Sequence, residues 1–403
     1  MLTKFVPCIE KKFYLCIPMT TEHSYGTGCV VCPSFADVHV HFREPGFSYK
    51  ETILSGSSAA AAGGYTCVCP MPNLDPVPDT VEHLEEELRI IRRDAVVDVR
   101  PYASITLGRK GFQTVDFKAL KGLAVAFSDD GSGVQDEAVM LRAMELAREN
   151  GCILAAHCED NSLLCGGWIH DGTYAAAHGH KGISSRSEWR QIERDLVLAE
   201  RTGCAYHVCH ISTKESVDLI RRAKDRGVDV SCETAPHYLV LCEDDLREEG
   251  RYKMNPPLRA AADRQALVEA LNDGTIDMIA TDHAPHSVEE KSKGLQGSAM
   301  GIVGLETAFP VLYTSLVRTG KLSFEKLLDL MGAAPRRRFR LPDAPDDYAV
   351  FDLEHPYRID SSRFLSKGRS TPFDGMRVYG RCLETVYRGK TVYRYEGELD
   401  ETL

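Results

Sequence analysis

The sequence predicts an α/β fold in which eight parallel strands and their helices form a (β/α)8 barrel. Eight apolar segments rich in β-forming residues are each followed by a polar loop, and most then by an amphipathic stretch. This alternation is typical of a parallel sheet whose strands are joined by helices. No G-x-G-x-x-G or P-loop opens a helix, which disfavours the rival prediction of a doubly wound nucleotide-binding sheet.

The predicted elements follow one another in a regular order. The predicted strands are Phe35–His41, Tyr65–Pro70, Val99–Ile105, Leu123–Phe127, Cys152–His157, Ala205–His210, Val228–Cys232 and Ile276–Thr281. The helical patterns between them are Lys50–Ala62, Thr80–Arg93, Asp136–Glu149, Glu188–Arg201, Lys214–Asp225 and Ala262–Leu271. Glycine follows four of these helices, as expected of helix C-termini, at Gly151, Gly203, Gly227 and Gly274.

The two ends of the chain do not fit the barrel pattern. Residues 1–34 and 343–403 are expected to form a small β-sandwich domain beside a catalytic barrel of residues 35–342. Within the tail, Leu383–Tyr387 and Thr391–Tyr395 flank Arg388-Gly389-Lys390, a pattern that predicts a β-hairpin.

Composition excludes several classes of function. A net charge of −11 argues against partners such as nucleic acid or an anionic membrane. No apolar stretch is long enough to cross a membrane, and charges at Lys4, Glu10 and Lys12 argue against a secretory signal. The 14 cysteines are scattered along the chain, a pattern that predicts free and mostly buried thiols. We expect a soluble cytoplasmic protein that acts on a small molecule.

Residues capable of chemistry gather at the ends of the predicted strands. The first strand closes with His39 and His41, which project from one face if the segment is extended. Two neutral imidazoles side by side suit a divalent cation, with zinc the usual occupant. Asp282 and His286 follow the last strand, and His157 and His210 end two others. Because strand ends converge on one face of a barrel, these residues predict a metal-dependent active site. His207, three residues before His210, is predicted to pack on the opposite side, and His178 and His180 to lie in a solvated loop.

Several motifs, in a characteristic order, make the chain resemble class I dihydroorotases of the amidohydrolase superfamily over essentially its whole length. They are Asp37–Gly46 (DVHVHFREPG), Met71–Asn73 (MPN), Phe127–Gly131 (FSDDG), His157–Asp160 (HCED), His207–Val217 (HVCHISTKESV), Met254–Arg259 (MNPPLR), Asp282–His286 (DHAPH) and Gly301–Phe309 (GIVGLETAF).

The resemblance implies a centre of two zinc ions per chain. It assigns His39, His41 and Asp282 to one metal, and His157 and His210 to the second. Related hydantoinases carry a bridging carboxylated lysine on the fourth strand, but Leu123–Gly131 contains no lysine. The resemblance therefore implies a bridging aspartate. Motif spacing favours Asp130, with Asp129 as the alternative.

The resemblance also implies the substrate contacts and the reaction. Arg43 and His286 are expected to bind the carboxylate of dihydroorotate, Asn73 and Asn255 to hydrogen-bond the substrate, and the backbone of Met300 and Gly301 to contact its ring. In the reaction that the resemblance implies, zinc would supply a hydroxide to attack the ring carbonyl, and Asp282, as both ligand and general base, would pass the proton to the leaving nitrogen. The implied function is the reversible cyclisation of N-carbamoyl-L-aspartate to L-dihydroorotate in de novo pyrimidine biosynthesis.

Two alternative functions remain open from the sequence. A hydantoinase or allantoinase type of cyclic amidohydrolase is disfavoured by Arg43 and by the missing lysine. A non-catalytic dihydroorotase-like subunit supporting aspartate transcarbamoylase is disfavoured because every expected metal ligand is present. A homodimer, and association with aspartate transcarbamoylase, are expected from the resemblance only.

Overall fold

A computed structural model describes residues 28–397 of the chain. The strands are β1 Cys29–Pro33, β2 Phe35–Val40, β3 Tyr65–Pro70, β4 Asp98–Val99, β5 Ile153–Ala156, β6 Ile169–His170, β7 Gly182–Ile183, β8 Ala205–Val208, β9 Val230–Thr234, β10 Met278–Ile279, β11 Tyr348–Asp352, β12 Tyr357–Arg358, β13 Arg377–Val378, β14 Arg381–Tyr387 and β15 Lys390–Arg394. The α-helices are α1 Ile53–Ala62, α2 Val81–Asp94, α3 Phe117–Leu120, α4 Glu137–Asn150, α5 Thr173–His178, α6 Arg186–Thr202, α7 Lys214–Asp225, α8 Pro236–Val240, α9 Ala261–Asp273, α10 Val288–Lys291, α11 Gly294–Gly297, α12 Ala308–Leu312, α13 Phe324–Leu328 and α14 Ala334–Phe339.

The protein is an α/β protein with parallel sheets, as the sequence predicts. Strands β2, β3 and β4 form one parallel sheet, and β5, β8, β9 and β10 form another. Single parallel bridges join the two sheets through Phe127, which pairs with Ala103 on one side and Leu154 on the other. At the opposite edges, Val40 of β2 pairs with His283, which follows β10. The series of parallel pairings that begins at β2 therefore ends at β2 again.

The long helices form where the sequence places them, for identifiable reasons. The hydroxyl of Thr213 accepts from the backbone of Ser216 and caps α7. On the same helix Val217, Ile220 and Ala223 recur at helical spacing and are buried. At the other ends, Gly151, Gly203 and Gly274 adopt the left-handed conformation that terminates α4, α6 and α9.

The two ends of the described chain pair in one four-stranded antiparallel sheet, ordered β1-β11-β14-β15. The predicted hairpin is confirmed: β14 and β15 are joined at Arg388 and Gly389, both with positive φ. Phe351 of β11 packs against Phe35 of β2 and Phe309, with ring centroids 5.5 and 4.0 Å apart. The terminal sheet therefore packs directly on the first parallel strand. A two-sheet sandwich remains a prediction.

Within residues 28–397, no helix combines the length and apolar character needed to cross a membrane.

Candidate metal centre

The six predicted metal ligands come from five separate segments of the chain and meet at one buried point. Five lie within a strand or just beyond its end, Asp130 follows the isolated bridges at Phe127, and each of the six is at most 7% exposed. They are His39, His41, Asp130, His157, His210 and Asp282. Carboxyl-terminal strand ends bring them together because parallel strands end on the same side of the sheet.

The first part of the cluster contains His39, His41 and Asp282. The Nε2 atom of His41 lies 3.1 Å from Oδ1 of Asp282, and Nε2 of His39 lies 3.6 Å from the same oxygen. Their potential donor atoms lie close enough together to hold one metal ion. Two imidazoles and a carboxylate form a ligand set that suits zinc.

The second part of the cluster contains His157 and His210. Nδ1 of His157 lies 2.9 Å from Nε2 of His210, and these atoms lie 3.7 and 3.6 Å from Oδ1 of Asp130. Asp130 also reaches the first part, since Oδ1 lies 3.4 Å from Nε2 of His39 and Oδ2 lies 3.6 Å from Nε2 of His41. Asp130 thus lies between the two parts, at the position a bridging ligand needs.

Asp129, the alternative bridging residue, is turned away from the cluster. Its Oδ1 accepts from the backbone nitrogens of Ile105 and Thr106, at 2.8 and 3.1 Å, and its Oδ2 accepts from the Thr106 hydroxyl. These hydrogen bonds occupy both carboxylate oxygens of Asp129 with Ile105 and Thr106, which favours Asp130 as the ligand.

The cluster has the chemistry expected of a metal centre. Nε2 of His39 and Oδ1 of Asp130 are buried and lack a hydrogen-bond partner, although buried polar atoms are normally paired. Burial and the charge of Arg43 lower the pKa of His41 to about 4, so its imidazole is neutral and able to bind a metal near pH 7. Burial alone would raise the pKa of Asp130, but the nearby histidines hold it well below its usual range. The residues therefore fit a divalent cation.

Backbone conformation sets these residues apart from most of the chain. His210 and Asp282 have φ values of 33° and 48°, and Arg43 has a φ of 59°. Non-glycine residues rarely adopt positive φ, and such conformations concentrate at functional sites.

The predicted carboxylate-binding residues lie beside the cluster. Arg43 is partly buried, and its Nε donates to the carbonyl of Pro285 at 3.3 Å. Nε2 of His286 lies 2.8 Å from the Met300 carbonyl, and its Nδ1 lies 3.3 Å from Nζ of Lys50. Gly301 adjoins Met300 and donates its backbone N–H to the Lys253 carbonyl at 3.1 Å.

The two predicted substrate-binding asparagines each have an unpaired acceptor atom, and Asn73 also contacts the predicted bridging residue. Nδ2 of Asn73 donates to the backbone carbonyl of Asp130 at 2.8 Å and lies 3.3 Å from its Oδ2. Asn73 therefore supports the predicted bridging aspartate. The Oδ1 atoms of Asn73 and Asn255 are both buried without a hydrogen-bond partner. Each asparagine thus retains an acceptor for a ligand.

Some contacts of the site are not evident from the sequence. Glu233 contacts both His39 and His207, so His207 combines its predicted packing, against Phe339, with a polar role. A guanidinium nitrogen of Arg109 donates to the carbonyl of Asp130. Sequence signals for these contacts are weak, because they join residues on separate elements. The loop prediction is wrong for His178, which is the exposed last residue of α5 and stacks on Tyr174. His180 lies just beyond the helix and contacts Trp168 and Glu248.

Solved structures of a hydantoinase and a dihydropyrimidinase share this fold. An L-hydantoinase (dihydropyrimidinase) from Arthrobacter aurescens matches with a TM-score of 0.82 at 27% identity, covering 95% of this chain and 90% of that chain. A dihydropyrimidinase from Brevibacillus agri matches with a TM-score of 0.79 at 20% identity, covering 91% of this chain and 86% of that chain. The chain therefore has the fold of the hydantoinases of the amidohydrolase superfamily.

Sequence comparison identifies the family within that superfamily. The family described as Dihydro-orotase-like matches residues 28–216. Dihydroorotases from Shouchella clausii and Ligilactobacillus salivarius are 52% and 51% identical to the chain, each covering 92% of it and 88% of the relative. The chain belongs to the dihydroorotase family and is an enzyme of the cyclic amide hydrolase type. This confirms the resemblance predicted from the motifs.

Proposed function

We propose that the protein is a zinc-dependent dihydroorotase that reversibly cyclises N-carbamoyl-L-aspartate to L-dihydroorotate. The observation that carries the proposal is the convergence of six ligand-type side chains on one buried point, with Asp130 among them and its carboxylate within 3.7 Å of four imidazoles. Relatives named dihydroorotase at about half identity support this substrate over the hydantoins of the structural neighbours.

The proposed centre holds two zinc ions per chain. His39, His41 and Asp282 would hold one, His157 and His210 would hold the other, and Asp130 would bridge them. Bound zinc supplies a Lewis acid for the ring carbonyl and water acidic enough to act as a nucleophile near pH 7.

Asp282 is the proposed general base. Burial alone would raise its pKa, but a hydrogen bond with His41 and the surrounding histidines hold the pKa below its usual value. The carboxylate is therefore ionised at neutral pH and able to accept a proton. In ring opening it would pass this proton to the leaving ring nitrogen, and in cyclisation it would reverse the transfer.

The remaining predicted residues would hold and orient the substrate. The Arg43 guanidinium remains charged at neutral pH, since burial lowers its pKa only to about 10. It would bind the substrate carboxylate together with His286, whose pKa of about 3 keeps its imidazole neutral. The amides of Asn73 and Asn255 and the backbone of Met300 and Gly301 would contact the ring.

The finer organisation of the molecule belongs to the same proposal. The cyclic order of parallel pairings supports a (β/α)8 barrel over residues 35–342. Residues 1–34 and 343–403 are proposed to form a small β-sandwich domain, of which residues 1–27 and 398–403 lie outside the described part of the chain. We also propose a cytoplasmic homodimer capable of associating with aspartate transcarbamoylase.

A substrate panel tests the proposed reaction. We expect the purified, zinc-loaded protein to open L-dihydroorotate and to cyclise N-carbamoyl-L-aspartate, with far lower activity toward hydantoin, dihydrouracil and allantoin. Preference for hydantoin or dihydrouracil would contradict the proposed substrate. A folded, zinc-loaded protein inactive in both directions, but able to activate aspartate transcarbamoylase, would instead support the subunit alternative.

A further inference from the structure

His39 contacts a buried glutamate on the side of its ring that faces away from the candidate metal centre. Nδ1 of His39 lies 2.6 Å from Oε1 of Glu233, and the two side chains are 0% and 1% exposed. Nε2, the other ring nitrogen, faces Asp130 and Asp282 at 3.4 and 3.6 Å. The ring therefore lies between an acidic group outside the centre and the carboxylates within it.

A second histidine holds the same glutamate. Nε2 of His207 lies 3.0 Å from Oε2 of Glu233, and Nδ1 of His207 lies 2.7 Å from the hydroxyl of Ser231. His207 and Ser231 are register partners on the adjacent parallel strands β8 and β9. Ser231, His207, Glu233 and His39 thus form a continuous buried series of hydrogen bonds, here called the Glu233 relay.

Hydrogen-bond chemistry fixes the protons of the relay. An ionised carboxylate only accepts hydrogen bonds, so each imidazole nitrogen that faces Glu233 carries a proton. In neutral His207 the remaining Nδ1 then accepts from Ser231. In neutral His39 the remaining Nε2 presents a lone pair toward Asp130 and Asp282. This Nε2 is buried and without a hydrogen-bond partner, as expected of a ligand atom aimed at a metal.

His41 shows that this support is not general in the centre. Its Nδ1 atom, on the side away from Asp282, is buried but has no hydrogen-bond partner. His157 has a carboxylate near its outer nitrogen, but Nε2 lies 3.5 Å from Oε2 of Glu159. Glu233 makes the much shorter contact, with a ligand that lies near both Asp130 and Asp282.

We infer that Glu233 is a positioning residue that fixes the tautomer and orientation of His39 for zinc binding, and that His207 holds Glu233 in place. The inference rests on the proposed function only in requiring that His39 binds zinc. A carboxylate behind a ligating histidine orients the ring and increases its basicity. Loss of such a partner commonly weakens metal binding by about 10- to 100-fold.

Zinc affinity of Glu233→Gln, measured by competition with a chromophoric chelator on the metal-stripped full chain, tests the inference. The substitution preserves the size of the side chain but removes its charge and places an amide where both histidines need an acceptor. We expect zinc to bind about 10- to 100-fold more weakly than to wild type. Wild-type affinity in a folded Glu233→Gln protein would overturn the inference.

Glu384→Gln is the matched control. Glu384 is 3% exposed and lies in β14, where it accepts from the hydroxyl of Thr391 at 2.6 Å. Its substitution is expected to leave zinc affinity unchanged, because no predicted ligand contacts it. An equal loss of affinity in this control would attribute the effect to general destabilisation and overturn the inference.

His207 provides a second test if Glu233→Gln does not fold. His207→Ala removes the donor that holds Glu233, and we expect weaker zinc binding. His207→Gln retains an N–H donor and is expected to recover most of the affinity. Unchanged affinity in His207→Ala would overturn the inference. Dihydroorotate turnover by wild type, measured in parallel, separates the two proposals: zinc binding without turnover contradicts the proposed function alone, whereas absence of zinc binding contradicts both.

Discussion

Replacement of Arg43 by alanine tests how the proposed substrate is bound. The guanidinium lies beside the candidate metal centre. Burial lowers its pKa to about 10 against the opposing charges of Asp282, Asp130 and Glu290, so it stays protonated at neutral pH. It is held in place by its Nε contact with Pro285. This leaves the terminal nitrogens in a position to bind a carboxylate in a bidentate manner.

The expected loss of substrate affinity in Arg43→Ala follows from the hydrogen bonds that the substitution would remove. Hydrogen bonds to charged groups contribute roughly 1.5–3 kcal/mol each. Because water enters the space left by Arg43→Ala and compensates in part, we expect a net loss of about 3 kcal/mol, or about 100-fold in substrate affinity. Arg43→Lys retains the charge but loses the planar fork, so we expect about a tenfold loss.

Steady-state kinetics with L-dihydroorotate measure this effect. We expect KM to rise strongly in Arg43→Ala, while kcat changes less, because Arg43 does not contact the reacting carbonyl in the proposed reaction. Arg100→Ala serves as the control: Arg100 pairs with Asp98 at 2.7 Å, and its loss should leave KM unchanged. A KM for Arg43→Ala equal to that of wild type would refute the proposed carboxylate contact.

Further predictions concern the proposed general base and the segment that follows β10. Asp282→Ala is expected to lower turnover to about 1% or less in both directions, since a general base contributes roughly 100-fold or more; appreciably higher residual activity would exclude its role. Nζ of Lys291 donates to the carbonyls of Lys253, Ala299 and Gly301 at 3.0, 2.8 and 2.7 Å, so Lys291→Met should raise KM by loosening the substrate-binding backbone. Burial and the charge of Lys253 lower the pKa of Lys291 to about 7, so its ammonium loses its proton as the pH rises through 7. In wild type KM should therefore rise from pH 7 to 9. In Lys291→Met, which has no proton to lose, KM should stay high and independent of pH. Residues 287–297, which include α10 and α11, lie beside the predicted substrate-binding residue His286, and we expect substrate to protect them from limited proteolysis. Equal cleavage with and without substrate would show that this segment does not order over the substrate.

Local patterns in the sequence were sufficient to predict much of the fold. Helix α7 has a threonine cap followed by apolar residues at helical spacing, and the predicted span 214–225 matches the observed helix. The segment Leu123–Phe127 was harder to predict, because its pairing with the neighbouring strands is limited to isolated bridges at Phe127. Hydrophobicity identified this segment, but regular strand length depends on neighbours that are remote in sequence.

The candidate site shows the same division between local and long-range information. His39 and His41 were identifiable because alternation within a strand places them on one face. The contact between His39 and Glu233 joins positions 194 residues apart, and no local pattern encodes it. Lys291 was equally obscure, since a lysine in a polar segment predicts solvent exposure, whereas three backbone carbonyls compensate for its burial.

The central claim is a metal-dependent dihydroorotase centre, and its most direct test combines turnover with metal analysis on one sample. The account predicts ring opening of L-dihydroorotate by protein containing about two zinc ions per chain, lost on chelation and restored by zinc. Full turnover by protein stripped of metal would contradict the proposed chemistry. Absence of turnover in fully zinc-loaded protein would contradict the proposed substrate.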